Sequence, residues 1–190
     1  MAEQSPMVQI DWSALATAPD TLSISERPFG GYVNMRGNPD NQAFMTAAQA
    51  VLGTLPLAPN TFTAHGDNTV FWLGPDEWLI MTPQGAALDL VAELRSALGN
   101  VFAAVTDVTG GNTCVELSGS AARDLLAKGS PIDFHPSVFS TGQCAQTVMA
   151  KTAVIIMQSD DAPIFKIVVR RSFADYLGVW LLDAAREFEA

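Results

Sequence analysis

The sequence is poor in charge, and above all in positive charge. Only 16% of its residues are Asp, Glu, Lys or Arg, against roughly 25% in typical soluble domains. Its 10 Lys and Arg face 20 Asp and Glu, which gives a formal net charge of -10. The one adjacent basic pair is Arg170-Arg171. Because phosphate backbones and anionic lipid headgroups attract clustered cations, this composition disfavours binding to nucleic acids or to membranes.

Long hydrophobic runs are also missing. No segment approaches the ~20 apolar residues that a membrane helix needs, because Lys151 interrupts the apolar stretch 148–157. The first residues lack the cationic start and apolar run of a secretory signal, so we expect a cytoplasmic protein. Cys114 and Cys144 lie in apolar segments without CxxC spacing. Buried, reduced thiols are the simplest expectation, and a disulfide between them stays open.

Side chains for catalysis and ligand binding are few. Neither His65 nor His135 accompanies a nucleophile elbow or a zinc-binding helix motif, so both are predicted to be surface or loop-ordering residues. Two Cys and two His at scattered positions do not form a structural zinc pattern. The pairs Gly30-Gly31 and Gly110-Gly111 stand alone and predict turns rather than phosphate loops. The sequence therefore predicts no catalytic, cofactor-binding or metal-binding residue in this chain.

Three groups of acids could in principle do acid–base chemistry, and the surrounding sequence favours a turn role for each. Asp76-Glu77 follows Gly74-Pro75, a strong turn sequence, and Asp160-Asp161 is typical of a solvated hairpin tip. Asp107 lies where a predicted strand meets the Gly-Gly turn, with Thr109 close by. We expect its carboxylate to accept hydrogen bonds from turn amides.

What the sequence does have is apolar residues, which make up 48% of the chain. That is enough for a substantial core, and with so few charges it favours a surface that is partly kept for a partner. Trp72, Trp78 and Trp180 are open to two interpretations, core residue or interface anchor. Trp12 either anchors the N-terminal segment or docks on a partner.

The order of the predicted elements contains a duplication. Residues 1–20 lack steady periodicity and are predicted to be an N-terminal arm outside the core, followed by a single domain over 21–188. Two repeats, about 21–99 and 101–188, each read strand-strand-helix-three strands-helix. The predicted strands are 21–26, 32–36, 61–65, 69–73, 78–81, 101–107, 113–117, 143–149, 152–157 and 164–169, and the predicted helices 41–52, 85–98, 118–128 and 172–188. The expected fold is an α+β domain with pseudo-twofold symmetry, in which the repeats share one core.

Motifs along nearly the whole chain carry a resemblance to a known family. They are 71–80 (FWLGPDEWLI), 106–109 with 115–119, 121–129, 131–136, 142–147, and 171–176 with 180–184. Each motif alone is modest, but their order and coverage, from about residue 20 to residue 188, are specific. Together they make the chain similar to the gamma subunit of heterotetrameric sarcosine oxidase.

The resemblance implies a fold related to the folate-binding domain of aminomethyltransferases, which is a duplication of the same unit. It also implies a place in a complex that oxidises sarcosine to glycine. The products would be hydrogen peroxide and either formaldehyde or 5,10-methylenetetrahydrofolate. The partners would be alpha, beta and delta subunits. FAD, FMN, NAD and tetrahydrofolate would belong to those partners, and the gamma chain itself would be non-catalytic.

The same resemblance allows one check for a retained folate site. Aminomethyltransferases use an aspartate on a strand of the first repeat, and the equivalent segment 68–72 has no acid beyond the turn residue Asp67. The segment 141–144 lacks the Lys of a related folate-binding motif, so Cys144 is given no role. Two alternatives stay open: a subunit of a related N-methyl amino acid dehydrogenase, and a free-standing folate-binding aminomethyltransferase-like protein.

Overall fold

All strands belong to two antiparallel, five-stranded sheets in a computed structural model of the chain, which describes residues 4–189. The strands are β1 Ser23–Arg27, β2 Gly31–Gly37, β3 Phe62–His65, β4 Asn68–Gly74, β5 Glu77–Thr82, β6 Ala103–Asp107, β7 Asn112–Ser118, β8 Cys144–Met149, β9 Thr152–Asp160 and β10 Ile164–Arg170. The helices are α1 Gln42–Leu52, α2 Ala87–Leu98, α3 Ala122–Gly129 and α4 Ala174–Ala185. In chain order these elements read strand-strand-helix-three strands-helix twice, which confirms the predicted α+β class.

The chain divides into two compact units. The terminal unit combines residues up to Pro28 with those from Asn112 onward, and the central unit is Phe29–Gly111. The sheet of the terminal unit has the order β1-β7-β10-β9-β8, and that of the central unit β3-β4-β5-β2-β6. Equivalent strands therefore take equivalent places, except that each repeat gives its first strand to the sheet of the other. β1 pairs with β7, and β6 pairs with β2.

Each unit has its own hydrophobic core between one face of its sheet and its two helices, so the expectation that the repeats share one core is wrong. In the strands that contribute to these cores, alternate residues point inward, as the two-residue repeat of a strand requires. In the terminal unit the strand side includes Ile24, Val115, Leu117, Ile156, Phe165 and Ile167, and the helix side Leu125, Leu126, Leu177 and Leu181. In the central unit the strand side includes Val33, Met35, Val70, Trp78 and Ile80, and the helix side Phe44, Leu52, Leu90 and Leu94.

The N-terminal segment packs on the terminal unit. Met7 is only 1% exposed and is a member of that core, which differs from the expectation of an arm outside it. Trp12 is partly buried against the same core, so its contacts favour the anchoring interpretation. Gly178 on α4 makes room for this segment, because a Cβ there would lie 2.7 Å from the Ile10 side chain. The first three residues of the predicted arm lie outside the described residues.

Local sequence explains where α1 begins and ends. The Asn41 carboxamide accepts hydrogen bonds from the backbone N–H groups of Ala43 at 2.9 Å and Phe44 at 3.4 Å. Gly53 ends the helix with φ +69°, a left-handed value that suits glycine. Between residues 4 and 189, no helix combines the length and the apolarity that crossing a bilayer would require.

The Asn41 cap gives a first test of the central unit. We expect Asn41→Ala to lower the free energy of unfolding by about 1 kcal/mol, because two helix N–H groups lose their acceptor. Urea denaturation followed by circular dichroism measures this change. Gln49→Ala, an exposed position on the same helix, is the control and should change stability by less than about 0.5 kcal/mol. Equal losses in both variants would contradict the capping role.

Candidate functional site

His65 lies at the end of a strand, on the surface. It is the last residue of β3 and is exposed. Its ring stands over the glycine that ends α1, since a Cβ on Gly53 would come within 2.8 Å of His65 Nδ1. The His65 ring therefore has a packing role, at the C-terminal end of α1.

His135 has a serine and an aspartate nearby, but their geometry is that of a turn. His135 Nδ1 lies 2.7 Å from Ser137 Oγ, and the Ser137 backbone N–H donates to the same nitrogen at 3.2 Å. A backbone N–H can only donate, so Nδ1 is an acceptor and the proton of the neutral ring lies on Nε2. The Asp133 carboxylate accepts from the His135 backbone N–H at 2.8 Å instead of holding the ring, as a catalytic triad would.

Asp107 also belongs to a turn. Its carboxylate accepts a hydrogen bond from the Thr109 backbone N–H at 2.8 Å, which confirms the predicted role. The Thr109 hydroxyl in turn accepts from the Tyr32 backbone N–H at 3.0 Å. Asp107 therefore orders the connection that leads from β6 to β7.

The carboxylates of the two acid pairs, Asp76-Glu77 and Asp160-Asp161, accept hydrogen bonds from nearby residues. Asp76 pairs with the Arg36 guanidinium through two contacts of 2.9 and 3.1 Å, and Glu77 accepts from the Asn34 carboxamide at 2.8 Å. At the β9–β10 hairpin, Asp160 accepts from the Ala162 N–H at 3.0 Å, and Asp161 accepts from the Thr141 hydroxyl at 2.7 Å. These contacts fit turn and hairpin roles.

The strand that would supply a folate-binding acid carries none. β4 consists of Asn68, Thr69, Val70, Phe71, Trp72, Leu73 and Gly74. Val70 and Phe71 are fully buried, whereas Asp67 is exposed in the turn before the strand. The middle of β4 is therefore used for packing.

Both thiols are buried, as expected, and no disulfide joins them in the described chain. Burial raises the pKa of Cys114 to about 12 and the pKa of Cys144 to about 12. Since the thiolate is the nucleophile and metal ligand, both cysteines are unreactive near neutral pH. Among residues 4–189, no three His, Cys, Asp or Glu side chains are grouped as a metal ion would need.

Trp78 and Trp180, which the sequence left open as core residues or interface anchors, have different surroundings. Trp78 is fully buried, stacks near Phe44 at a centroid distance of 5.6 Å, and donates its indole N–H to the Pro56 carbonyl at 2.8 Å. It is a core residue. Trp180 packs partly against the core of the terminal unit and also lines a surface cleft of about 380 Å³ on α4.

Among residues 4–189, the most exposed large hydrophobic side chain is Phe102, which is 98% exposed in the loop between α2 and β6. It lines a cleft of about 550 Å³ on the central unit, and the remaining lining residues are Arg36, Gly37, Asn38, Asp76, Ala103 and Ala104. We call this the Phe102 surface. Sequence reasoning missed it, because it placed Phe102 inside a strand that was predicted to begin at 101. The strand begins at Ala103, and the partly buried neighbour Val101 packs on the core instead.

The fold and these sites define a duplicated α+β protein in which the reactive side chains are dispersed. Aminomethyltransferase T of the glycine cleavage system from Bartonella henselae superposes with a TM-score of 0.64 at 16% identity. The match covers 91% of this chain and 48% of that one. At this identity the likeness shows the shared fold alone.

A family model identifies the chain more closely. The model of the sarcosine oxidase, gamma subunit family matches residues 36–187, and the chain belongs to that family. The gamma subunit of sarcosine oxidase from Corynebacterium sp. strain P-1 is 35% identical over 169 residues, covering 88% of this chain and 82% of the relative. The Arthrobacter gamma subunit is 34% identical over 167 residues, covering 87% and 80%.

A solved structure extends the comparison to the whole chain. A chain of heterotetrameric sarcosine oxidase from Corynebacterium sp. U-96, crystallised with pyrrole 2-carboxylate, superposes with a TM-score of 0.89. The two chains are 28% identical, and the superposition covers 99% of this chain and 97% of that one. The fold and the family that the sequence motifs implied are therefore confirmed.

Proposed function

We propose that this chain is the non-catalytic gamma subunit of a heterotetrameric sarcosine oxidase. The observation that carries the proposal is the near-complete superposition on a chain of such an oxidase, with a TM-score of 0.89. The dispersed side chains support it, because both histidines and the paired acids are engaged in turns or at element ends. What this chain contributes is then its surface, which includes the exposed Phe102.

In this proposal the chemistry takes place on partner subunits. The complex oxidises sarcosine to glycine, releases hydrogen peroxide, and yields formaldehyde or 5,10-methylenetetrahydrofolate. Alpha, beta and delta subunits are the partners, and they hold FAD, FMN, NAD and tetrahydrofolate. The complex works in the cytoplasm and requires neither nucleic acid nor a membrane surface.

Co-purification tests the proposal. An affinity-tagged chain is expressed together with its neighbouring genes, and the purified material is analysed for flavin absorbance and subunit composition. We expect flavin-containing partners and hydrogen peroxide release that depends on sarcosine. A tagged chain that never retains a flavoprotein would refute the proposal.

The same preparation separates the two alternatives. If N-methylglutamate is oxidised and sarcosine is not, the chain serves a related dehydrogenase. If the chain purifies alone and binds tetrahydrofolate, it is a free-standing folate-binding protein. Substrate profiling and a tetrahydrofolate titration therefore complete the experiment.

A non-catalytic role also makes a prediction about His135. We expect His135→Ala to leave the kcat for sarcosine in the assembled complex within about twofold of wild type. The reason is that the His135 ring nitrogen Nδ1 is engaged by Ser137 of its own turn, whereas a missing general base would cost roughly 100-fold or more. Ser137→Ala is the matched variant and should behave alike. A large fall in kcat with an unchanged flavin content would contradict the prediction.

A further inference from the structure

Phe102 is an aromatic side chain in an unusual place. It is 98% exposed, beside a cleft whose walls include Ala103 and Ala104. A large aromatic side chain in water forgoes the favourable free energy of burial, and aromatic residues including Phe are enriched in the buried centres of interfaces. Small side chains beside such an anchor leave space for the atoms of a partner.

The backbone next to Phe102 is a free sheet edge, because β6 is the last strand of its sheet. The Val108 N–H donates to the Tyr32 carbonyl at 2.9 Å, so Tyr32 and Val108 are a hydrogen-bonded pair at the end of the β2–β6 ladder. Bonded pairs alternate with non-bonded pairs in an antiparallel ladder. The pair Met35–Val105 is consequently non-bonded, and Val105 turns its N–H and C=O outward.

Arg95 covers the middle of this edge. Its guanidinium donates to the Val105 carbonyl at 2.7 Å. An added strand would have to displace that contact, and natural sheets use charged side chains in this way to discourage strand addition. A partner at this end of the sheet is therefore expected to contact the Phe102 side chain and its cleft rather than to extend the sheet.

The charge of the central unit indicates the chemistry of that partner. Its seven acids are Asp40, Asp67, Asp76, Glu77, Asp89, Glu93 and Asp107, against two arginines, and its formal net charge is -5. Both arginines are engaged, Arg36 with Asp76 and Arg95 with a backbone carbonyl. The unit contains no lysine. A complementary partner surface would carry lysine or arginine.

We propose that Phe102 is the anchor through which this chain docks on a partner subunit, inserted into an apolar pocket that is rimmed by cationic side chains. The inference rests on the proposed function, because the partner is a subunit of the oxidase complex. It adds the surface, the anchoring residue and the chemistry of the receiving pocket.

An internal competition tests the anchor. Wild-type and variant chains with different tags are co-expressed with the partner genes, and their ratio in the purified complex is normalised to their ratio in the soluble lysate. We expect Phe102→Asp to be depleted at least tenfold, which corresponds to about 1.4 kcal/mol. Leu88→Asp is the matched control, since Leu88 is a 68% exposed apolar residue of the same unit. It should be incorporated within twofold of wild type.

The outcomes separate this proposal from the proposed function. If wild type enters the complex and Phe102→Asp enters equally well, the anchor is refuted and the proposed function stands. If Leu88→Asp is depleted as strongly as Phe102→Asp, the specific role of Phe102 is likewise refuted. If wild type itself is absent from every flavoprotein complex, the proposed function fails first.

A second pair of variants tests the cationic rim. Asn100 is exposed and lies two residues before Phe102. We expect Asn100→Lys to be depleted at least threefold in the same competition, because it would face like charge, and Asn100→Asp to be incorporated at least as well as wild type. Equal incorporation of the two variants, or the reverse order, would refute the cationic rim.

Discussion

Replacing Trp78 by alanine is expected to lower the free energy of unfolding by about 3–5 kcal/mol. Trp78 is fully buried between its sheet and α1, where it packs beside Phe44. Truncation removes the largest fully buried side chain of the chain and leaves a cavity that Phe44 cannot fill alone. It also leaves the carbonyl of the buried Pro56 without its indole donor.

Trp78→Phe divides this loss into two parts. The phenyl ring keeps most of the apolar volume but donates no hydrogen bond to Pro56, so we expect a loss of about 1–3 kcal/mol. Urea denaturation at matched protein concentration gives both values. Trp72→Phe, at the half-buried residue paired with Trp78 across the strands, is the control and should cost less. If Trp78→Ala cost less than about 1 kcal/mol, the packing described for this core would be wrong.

Trp78 also shows what the sequence could not decide. The motif around it contains two tryptophans at a turn, and either could have been an interface anchor. Trp72 and Trp78 are paired across β4 and β5, so both point to the same face of the sheet. They differ in their place on that face, because Trp78 packs against Phe44 of α1 in the core, whereas Trp72 is only half-buried. Which part of a face a helix covers depends on packing between distant elements, and local periodicity contains no information about it.

The element order was predictable for a physical reason. Turn residues such as Gly66 and Gly110 have positive φ, and they mark strand ends in the sequence as clearly as in the structure. The exchange of the first strands was not predictable. β1 and β6 have five residues each, and their pairing partners, β7 and β2, are set by tertiary contacts that a local pattern does not contain.

Of the candidate functional residues, Asp107 could be interpreted from the sequence and Phe102 could not. Asp107 next to a Gly-Gly pair predicts a turn, and a hydrogen bond to Thr109 is what the structure has. Phe102 left no such mark, because one aromatic residue in an apolar stretch has the same appearance whether it points inward or outward. Its exposure depends on β6 beginning at Ala103, two residues later than the predicted start at 101. Boundaries of elements are where local patterns carry the least information.

In the terminal unit, one arginine holds the loop 130–143 in place by hydrogen bonds. Arg123 on α3 donates to the backbone carbonyls of Phe134 and Phe139, the latter at 3.0 Å, and to the Gln158 carboxamide at 2.9 Å. Its guanidinium also lies 5.2 Å from the centroid of the Phe165 ring. Phe134 and Phe139 are buried and pack against Phe165, so this loop is part of the core. Burial lowers the pKa of Arg123, yet a guanidinium stays charged at neutral pH.

We expect Arg123→Lys to lower the free energy of unfolding by about 2–4 kcal/mol, although the charge is kept. A single ammonium group cannot reach both carbonyls and Gln158 in the fork geometry of a guanidinium, and each buried acceptor left without a donor costs about 1–3 kcal/mol. Urea denaturation measures the loss, and limited proteolysis should find new cleavage between Phe134 and Phe139. Arg170→Lys, an exposed position of the same unit, should change stability by less than about 0.5 kcal/mol. If Arg123→Lys were as stable and as protease-resistant as wild type, the loop would be held by its phenylalanines alone.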